Sequence, residues 1–135
     1  MVAEAGNVLL LPAQARLGGG GLAAVTLALG ATAALTVLMA WAGATGRLAP
    51  NPFLGIRTSR TRASERAWYH VHRAAAPWCV VASVVLAAGT VAPLFLGNGM
   101  AQAAVFLGAS ALYLLVLCAG VVRAGRTVPP EDPGE

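Results

Sequence analysis

Three stretches of this sequence, Leu22–Thr45, Ala74–Gly97 and Ala101–Val122, contain no Asp, Glu, Lys or Arg, and each is 22 to 24 residues long. A helix of that length rises about 33–36 Å, enough to cross a hydrocarbon layer of about 30 Å with some tilt. Each stretch is apolar around its whole circumference instead of along one stripe, the pattern that lipid or complete burial demands. A chain of 135 residues has too little interior to bury three such helices. The expected fold class is therefore an all-α integral membrane protein with three transmembrane helices, at about 22–45, 74–97 and 101–122. Only 10% of the residues are charged, against about 25% in soluble domains. The abundance of Ala and Gly suits helices that must approach closely in lipid.

The flanking segments read differently. Residues 1–21, "MVAEAGNVLLLPAQARLGGGG", lack a basic start, carry Glu4 early and break their apolar run at Pro12, so they do not form a secretory signal. They are expected to be a flexible or surface-lying tail, with Gly18–Gly21 as slack before the first span. The segment 123–135 ends in "PPEDPGE" and is expected to be disordered on its Pro, Gly and charge content.

Charge sits almost entirely in one loop. Arg47, Arg57, Arg60, Arg62, Arg66 and Arg73 lie between the first two spans, Arg123 and Arg126 follow the third, and the other side has only Arg16. Basic residues beside spans stay cytoplasmic. The chain is thus expected to place its N-terminus outside and its C-terminus in the cytoplasm, with "LGNGM" as the short outer connection. There Asn98-Gly99 would supply the positive φ angles of a tight turn.

Within the loop 46–73, Pro50 and Pro52 exclude helix, Asn51 tolerates unusual backbone angles between them, and Gly55 permits a close or left-handed approach. A Pro/Gly turn folding back from the first span is expected. A helix restarts near Thr61–Ser64, either of which can cap it, with Glu65 well placed in its first turn. From there Trp68, Val71, Ala75 and Trp78 fall on one face, and Arg66, Tyr69, His70 and Arg73 on another. This predicts an amphipathic helix at the membrane interface, its tryptophans at headgroup level and its arginines toward anionic lipid headgroups. Pro77 would then kink the chain before the second span. His72 follows Trp68 by four residues, so their rings can stack, and His72 is expected to hydrogen-bond the folded-back "GIR" segment. Arg57 is expected to pair with Glu65, the only acidic residue of the loop.

Other chemistries find little support. His70 and His72 point apart on a helix and cannot readily grip one metal, and Cys79 and Cys118 have no Cys-x-x-Cys or Cys/His spacing, so neither a metal nor a cofactor is expected. Ser64 and His72 are eight residues apart, about 12 Å along a helix, too far for a nucleophile–base pair, so no enzyme is expected. The spans carry no ionisable group for an ion or proton path, which weighs against a transporter or channel subunit. Six arginines raise nucleic-acid binding, but retention of basic loops in the cytoplasm explains them without it. Small residues four apart, Ala40/Ala44 and Ala104/Gly108, could bring helices together within one chain or in a homo-oligomer.

The run Pro50-Asn51, "GIRTS" at Gly55–Ser59, Thr61, "SERAW" at Ser64–Trp68 and "HVHR" at His70–Arg73 resembles the signature of the SdpI immunity family. The match runs with uninterrupted spacing from the end of the first span through the second, about half of the chain, and the third span fits the family's layout. Where many members have "TPWT" or "TPLT" this chain has "TSRT", which puts Arg60 in place of a hydrophobe. The resemblance implies a bacterial inner-membrane protein that protects its producer from a secreted, membrane-active toxin peptide. It also implies a role in holding a transcriptional regulator at the membrane. The site it implies comprises Asn51, Gly55, Arg57, Thr58, Thr61, Ser64, Glu65, Trp68, His72 and Arg73, a loop that binds a partner or anionic lipid.

Overall fold

The computed structural model describes residues 17–129, and these are helical apart from turns. Helix α1 spans Gly19–Ala44, α2 spans Glu65–Val91 and runs into a 3₁₀ turn at Ala92–Phe95, and α3 spans Gly99–Arg126. All three are long and apolar enough to cross a membrane. Of the tails expected at 1–21 and 123–135, residues 1–16 and 130–135 lie outside the described residues; Gly19–Gly21 belong to α1 instead of forming slack, Arg123–Arg126 complete α3, and residues 17–18 and 127–129 are not helical.

Helix α2 is the centre of the fold, with α1 and α3 packed along it on either side. It buries Trp68, Val71, His72, Ala75, Cys79, Ala82, Ser83, Leu86 and Gly89, a recurrence at three and four residues that serves two neighbours at once. The outer helices instead leave large apolar side chains uncovered, among them Leu27 at 73% exposure, Leu107 at 72% and Leu115 at 68%. In water such a surface would drive association; in lipid it is the ordinary outer face of a span.

Small residues set the helix spacing. A Cβ placed on Gly89 of α2 would lie 2.0 Å from the Cβ of Ala109 on α3, and one on Gly120 would lie 2.2 Å from that of Trp78. Neither position tolerates a side chain unless the helices separate. A Cβ placed on Gly43 of α1 would lie 3.0 Å from the Cβ of His72. Of the two spacings singled out in sequence, Ala40 is buried against α2, whereas Ala104 and Gly108 face outward.

The segment expected as an interfacial helix and the second span form one continuous helix, Glu65–Val91, with Pro77 inside it. The expectation for the outer turn is corrected. The outer turn contains no positive φ angle. Asn98 has φ −126° and caps α3, its side-chain oxygen accepting from Met100 N at 2.8 Å and Ala101 N at 3.4 Å. Gln102 secures the same end: its amide donates to the carbonyls of Pro93 (3.2 Å) and Leu96 (3.1 Å), while its oxygen accepts from Leu17 N (3.1 Å). A buried amide is thereby satisfied, and the start of α1 is tied to α3.

Candidate functional site

The arginine-bearing end is built by a sequence of local devices. Helix α1 stops at Gly46, which has φ +72°; Gly46 N bonds to Gly43 O at 3.3 Å and Arg47 N to Ala42 O at 2.9 Å, the paired bonds of a Schellman motif. Arg47 then lies over the Trp41 ring at 4.5 Å, a cation–π contact that holds the chain as it leaves the helix. Asn51 makes the next turn through its side chain, not through unusual backbone angles. Its oxygen accepts from Phe53 N (2.9 Å) and Leu54 N (2.7 Å), and its amide donates to Ala49 O (2.9 Å). No residue other than glycine among those described has a positive φ.

This turn carries Gly55 and Ile56 under the end of α2, where the signature residues meet. Ile56 N donates to His72 Nε2 at 2.9 Å. Since Nε2 accepts, the proton is on Nδ1, which donates to the Trp68 carbonyl at 2.8 Å. The Trp68 and His72 rings lie 4.3 Å apart, tilted by 33°, and the Trp68 indole N–H donates to Leu48 O at 2.8 Å. Gly55, with φ +95°, fits between them: a Cβ there would lie 2.5 Å from His72 Nε2, 3.0 Å from a Leu48 methyl and 3.2 Å from the Trp68 ring. Gly55, Trp68 and His72, up to seventeen positions apart in sequence, therefore form one packed unit. Trp68 is 2% exposed, so it belongs to the protein interior and not to the headgroup layer; Trp78, the other tryptophan expected there, lies exposed beside Gly120.

The remaining signature residues shape the path between the turn and α2. Thr58 N donates to Thr61 Oγ1 at 2.9 Å, and the same hydroxyl donates to Thr58 O at 3.1 Å, so a buried threonine closes a single turn on itself. Ser64, not Thr61, is the cap of α2: its hydroxyl accepts from Ala67 N at 3.2 Å, with Glu65 in the first turn. Arg57 is not paired with Glu65. Its guanidinium donates to the Pro52 carbonyl and so braces the proline turn, while Glu65 is exposed at the helix start.

Outside this unit lies a basic surface. Arg66, Tyr69, His70, Arg73 and Ala74 line an open hollow of about 690 Å³ with Pro129. His70 Nε2 and Thr127 Oγ1 are 3.0 Å apart, fastening α2 to the end of α3. Arg57, Arg60, Arg62, Arg66, Arg73, Arg123 and Arg126 are all exposed. The geometry thus separates two roles within one motif: Gly55, Thr61, Trp68 and His72 build a rigid support, and the arginines are presented on it.

Sequence reading overlooked Gly43, Gly46, Leu48 and Thr127. Gly46, just past an apolar helix, was available as a C-terminal helix signal; Leu48 and Thr127 act through a backbone carbonyl and a distant hydroxyl, for which no local signal exists.

No curated protein and no solved structure matches the chain. Residues 47–123, which include this turn, all of α2 and most of α3, match the family model described as the SdpI/YfhL protein family. That match covers more than half of the chain and contains every signature residue of the packed unit, and the chain belongs to the SdpI/YfhL protein family.

Proposed function

We propose that this is a non-enzymatic bacterial plasma-membrane protein of the immunity type, which protects the cell against a membrane-active peptide through the arginine-bearing platform. In this reading the N-terminus is outside, the C-terminus and the platform are cytoplasmic, and the platform engages anionic headgroups, the peptide itself or an acidic regulator protein. The observation that carries it is the locking of Gly55–Ile56 onto His72, which gives the arginines a fixed base. Preorganised charges lose less conformational entropy on binding than charges on a loose loop. Each arginine near an anionic surface contributes about 1 kcal/mol.

The support buries its polar groups against one another and leaves outward-facing cations, and the Thr127 hydroxyl beside His70 already donates to the Ala124 carbonyl, which favours a binding role over catalysis. Deletion of the gene, followed by challenge with a panel of membrane-permeabilising peptides, tests the proposal. Increased sensitivity to at least one peptide, restored by the native gene and not by a variant with Arg62, Arg66 and Arg73 changed to Gln, is the expected result. Unchanged sensitivity across the panel would remove the immunity reading.

A further inference from the structure

Helices α1 and α3 both lie against α2, and between them a cleft of about 340 Å³ opens along the side of the molecule. Its walls are Leu35, Met39 and Ala40 from α1 and Leu117 from α3; its floor is Gly55, Ile56 and His72. The family's turn therefore closes one end of a cleft that lies among the membrane-spanning helices. Three hydroxyls, those of Thr32, Thr36 and Tyr113, break its apolar lining. Ligand sites commonly have this size and this sparse polarity.

The protons of those hydroxyls can be followed one by one. Thr32 donates to Ala28 O at 2.9 Å and Thr36 donates to Thr32 O at 2.8 Å. Thr36 has then spent its one proton, so the 2.8 Å contact between Thr36 Oγ1 and Tyr113 OH is a bond donated by the tyrosine. What these hydroxyls still offer a ligand is lone pairs, on Tyr113 and Thr32; the Cys79 thiol, which also lines the cleft, is only a weak donor. On the floor, His72 has both nitrogens engaged, by Ile56 and by Trp68. No arginine lines the cleft, which disfavours a phosphate or carboxylate, and a charge of either sign at this depth is costly. Thr36 lies eight residues before the end of α1, about 12 Å inward along the helix axis.

We propose that this cleft binds a neutral lipid alcohol, a single hydrocarbon chain bearing a free hydroxyl that donates to Tyr113 or Thr32. The chain lies along Leu35, Met39 and Leu117, and the motif turn beneath limits how far it enters. The cleft shares its floor with the base of the arginine platform but is lined by none of the arginines, and the proposal does not depend on the immunity reading.

The test uses the full-length protein in phosphatidylcholine nanodiscs with two photoreactive probes, a diazirine-bearing hexadecanol and its O-methyl ether, which differ only in the donor. Labelling is mapped by mass spectrometry. The alcohol is expected to label the Leu35–Met39 and Leu117 segments threefold to tenfold more than the ether, roughly the effect of one hydrogen bond inside a membrane. Tyr113→Phe should bring the two probes toward equality, and Leu117→Trp, which fills the cleft while keeping the tyrosine, should abolish labelling by both at these segments. Thermal melting of each variant in the same nanodiscs establishes that it is folded. Should Tyr113→Phe fail to fold, Leu117→Trp alone decides. Equal labelling of the native protein by the two probes would overturn the proposal, as would label spread evenly over the lipid-facing helices or full labelling of Leu117→Trp.

Discussion

The backbone N–H of Ile56 and the Nε2 atom of His72 are joined by a 2.9 Å hydrogen bond across sixteen residues of chain. That bond fixes the tautomer of the histidine, because the same ring must then donate from Nδ1 to Trp68 O. Nitrogen NMR of the protein labelled at histidine should show one ring protonated on Nδ1 alone. Replacing His72 with Ala removes the acceptor and the stacked ring together. An orphaned N–H costs about 1–3 kcal/mol and the lost ring adds a cavity cost, so His72→Ala should lower the melting temperature in detergent clearly and expose the Gly55–Ile56 turn to proteases. An unchanged cleavage pattern would argue against the lock.

Two glycines with positive φ should respond unequally to alanine. At Gly46, φ is +72° and the nearest atom to a new Cβ is 3.9 Å away, so only the backbone preference is lost, about 1–2 kcal/mol. At Gly55 the same kind of backbone cost is joined by contacts of 2.5, 3.0 and 3.2 Å. The His72 ring cannot yield without releasing Ile56 or Trp68. Gly55→Ala should therefore destabilise by several kcal/mol more than Gly46→Ala, and Gly108→Ala, with open space around it, should be nearly silent. Equilibrium unfolding of the three variants side by side would show the order.

The contrast between these positions shows how much was legible in advance. Spans could be read because lipid imposes a long uncharged run that few other settings allow. Gly55 and His72 could be paired because a glycine after a double-proline turn and a histidine four residues from a tryptophan each need a partner. Their meeting place could not be read in full, since Leu48 contributes only a carbonyl, and a carbonyl has no sequence signature. Residue preference alone puts Trp68 at the lipid interface; in the fold it is claimed by that carbonyl and by His72, and packing overrides preference. The Thr36–Tyr113 bond joins residues 77 positions apart, a contact that only the three-helix arrangement creates.

Size exchange across α2 and α3 offers a direct measure of their contact. Gly89→Ala places a Cβ 2.0 Å from that of Ala109 and should push the helices apart, at a cost of about 1–3 kcal/mol. Ala109→Gly alone should be mild. Combined, the two changes restore one methyl group to the gap on the opposite helix, so the double variant should recover at least half of the lost stability. Additive losses in a double-mutant cycle measured by thermal melting in detergent would mean that the two helices do not meet there.

The arginine platform predicts a graded preference for anionic lipid. Arg66 and Arg73 line the same hollow and are both exposed, so removing either charge leaves the buried contacts of α2 in place. With about 1 kcal/mol for each cation near an anionic surface, changing one to Gln should lower the retention of phosphatidylglycerol over phosphatidylcholine about fivefold, and changing both should lower it about 30-fold. Native mass spectrometry of protein released from mixed-lipid nanodiscs reads this ratio directly. Added salt should weaken the native preference toward that of the double variant, because exposed charges are screened within a Debye length of about 8 Å at physiological ionic strength. The His72→Ala protein supplies the decisive comparison: it keeps every arginine but loses the bond that seats the turn. If rigidity of the base matters, its lipid preference should fall as well, and more for arginines on the turn, such as Arg57 and Arg60, than for Arg66 and Arg73, whose positions α2 itself maintains.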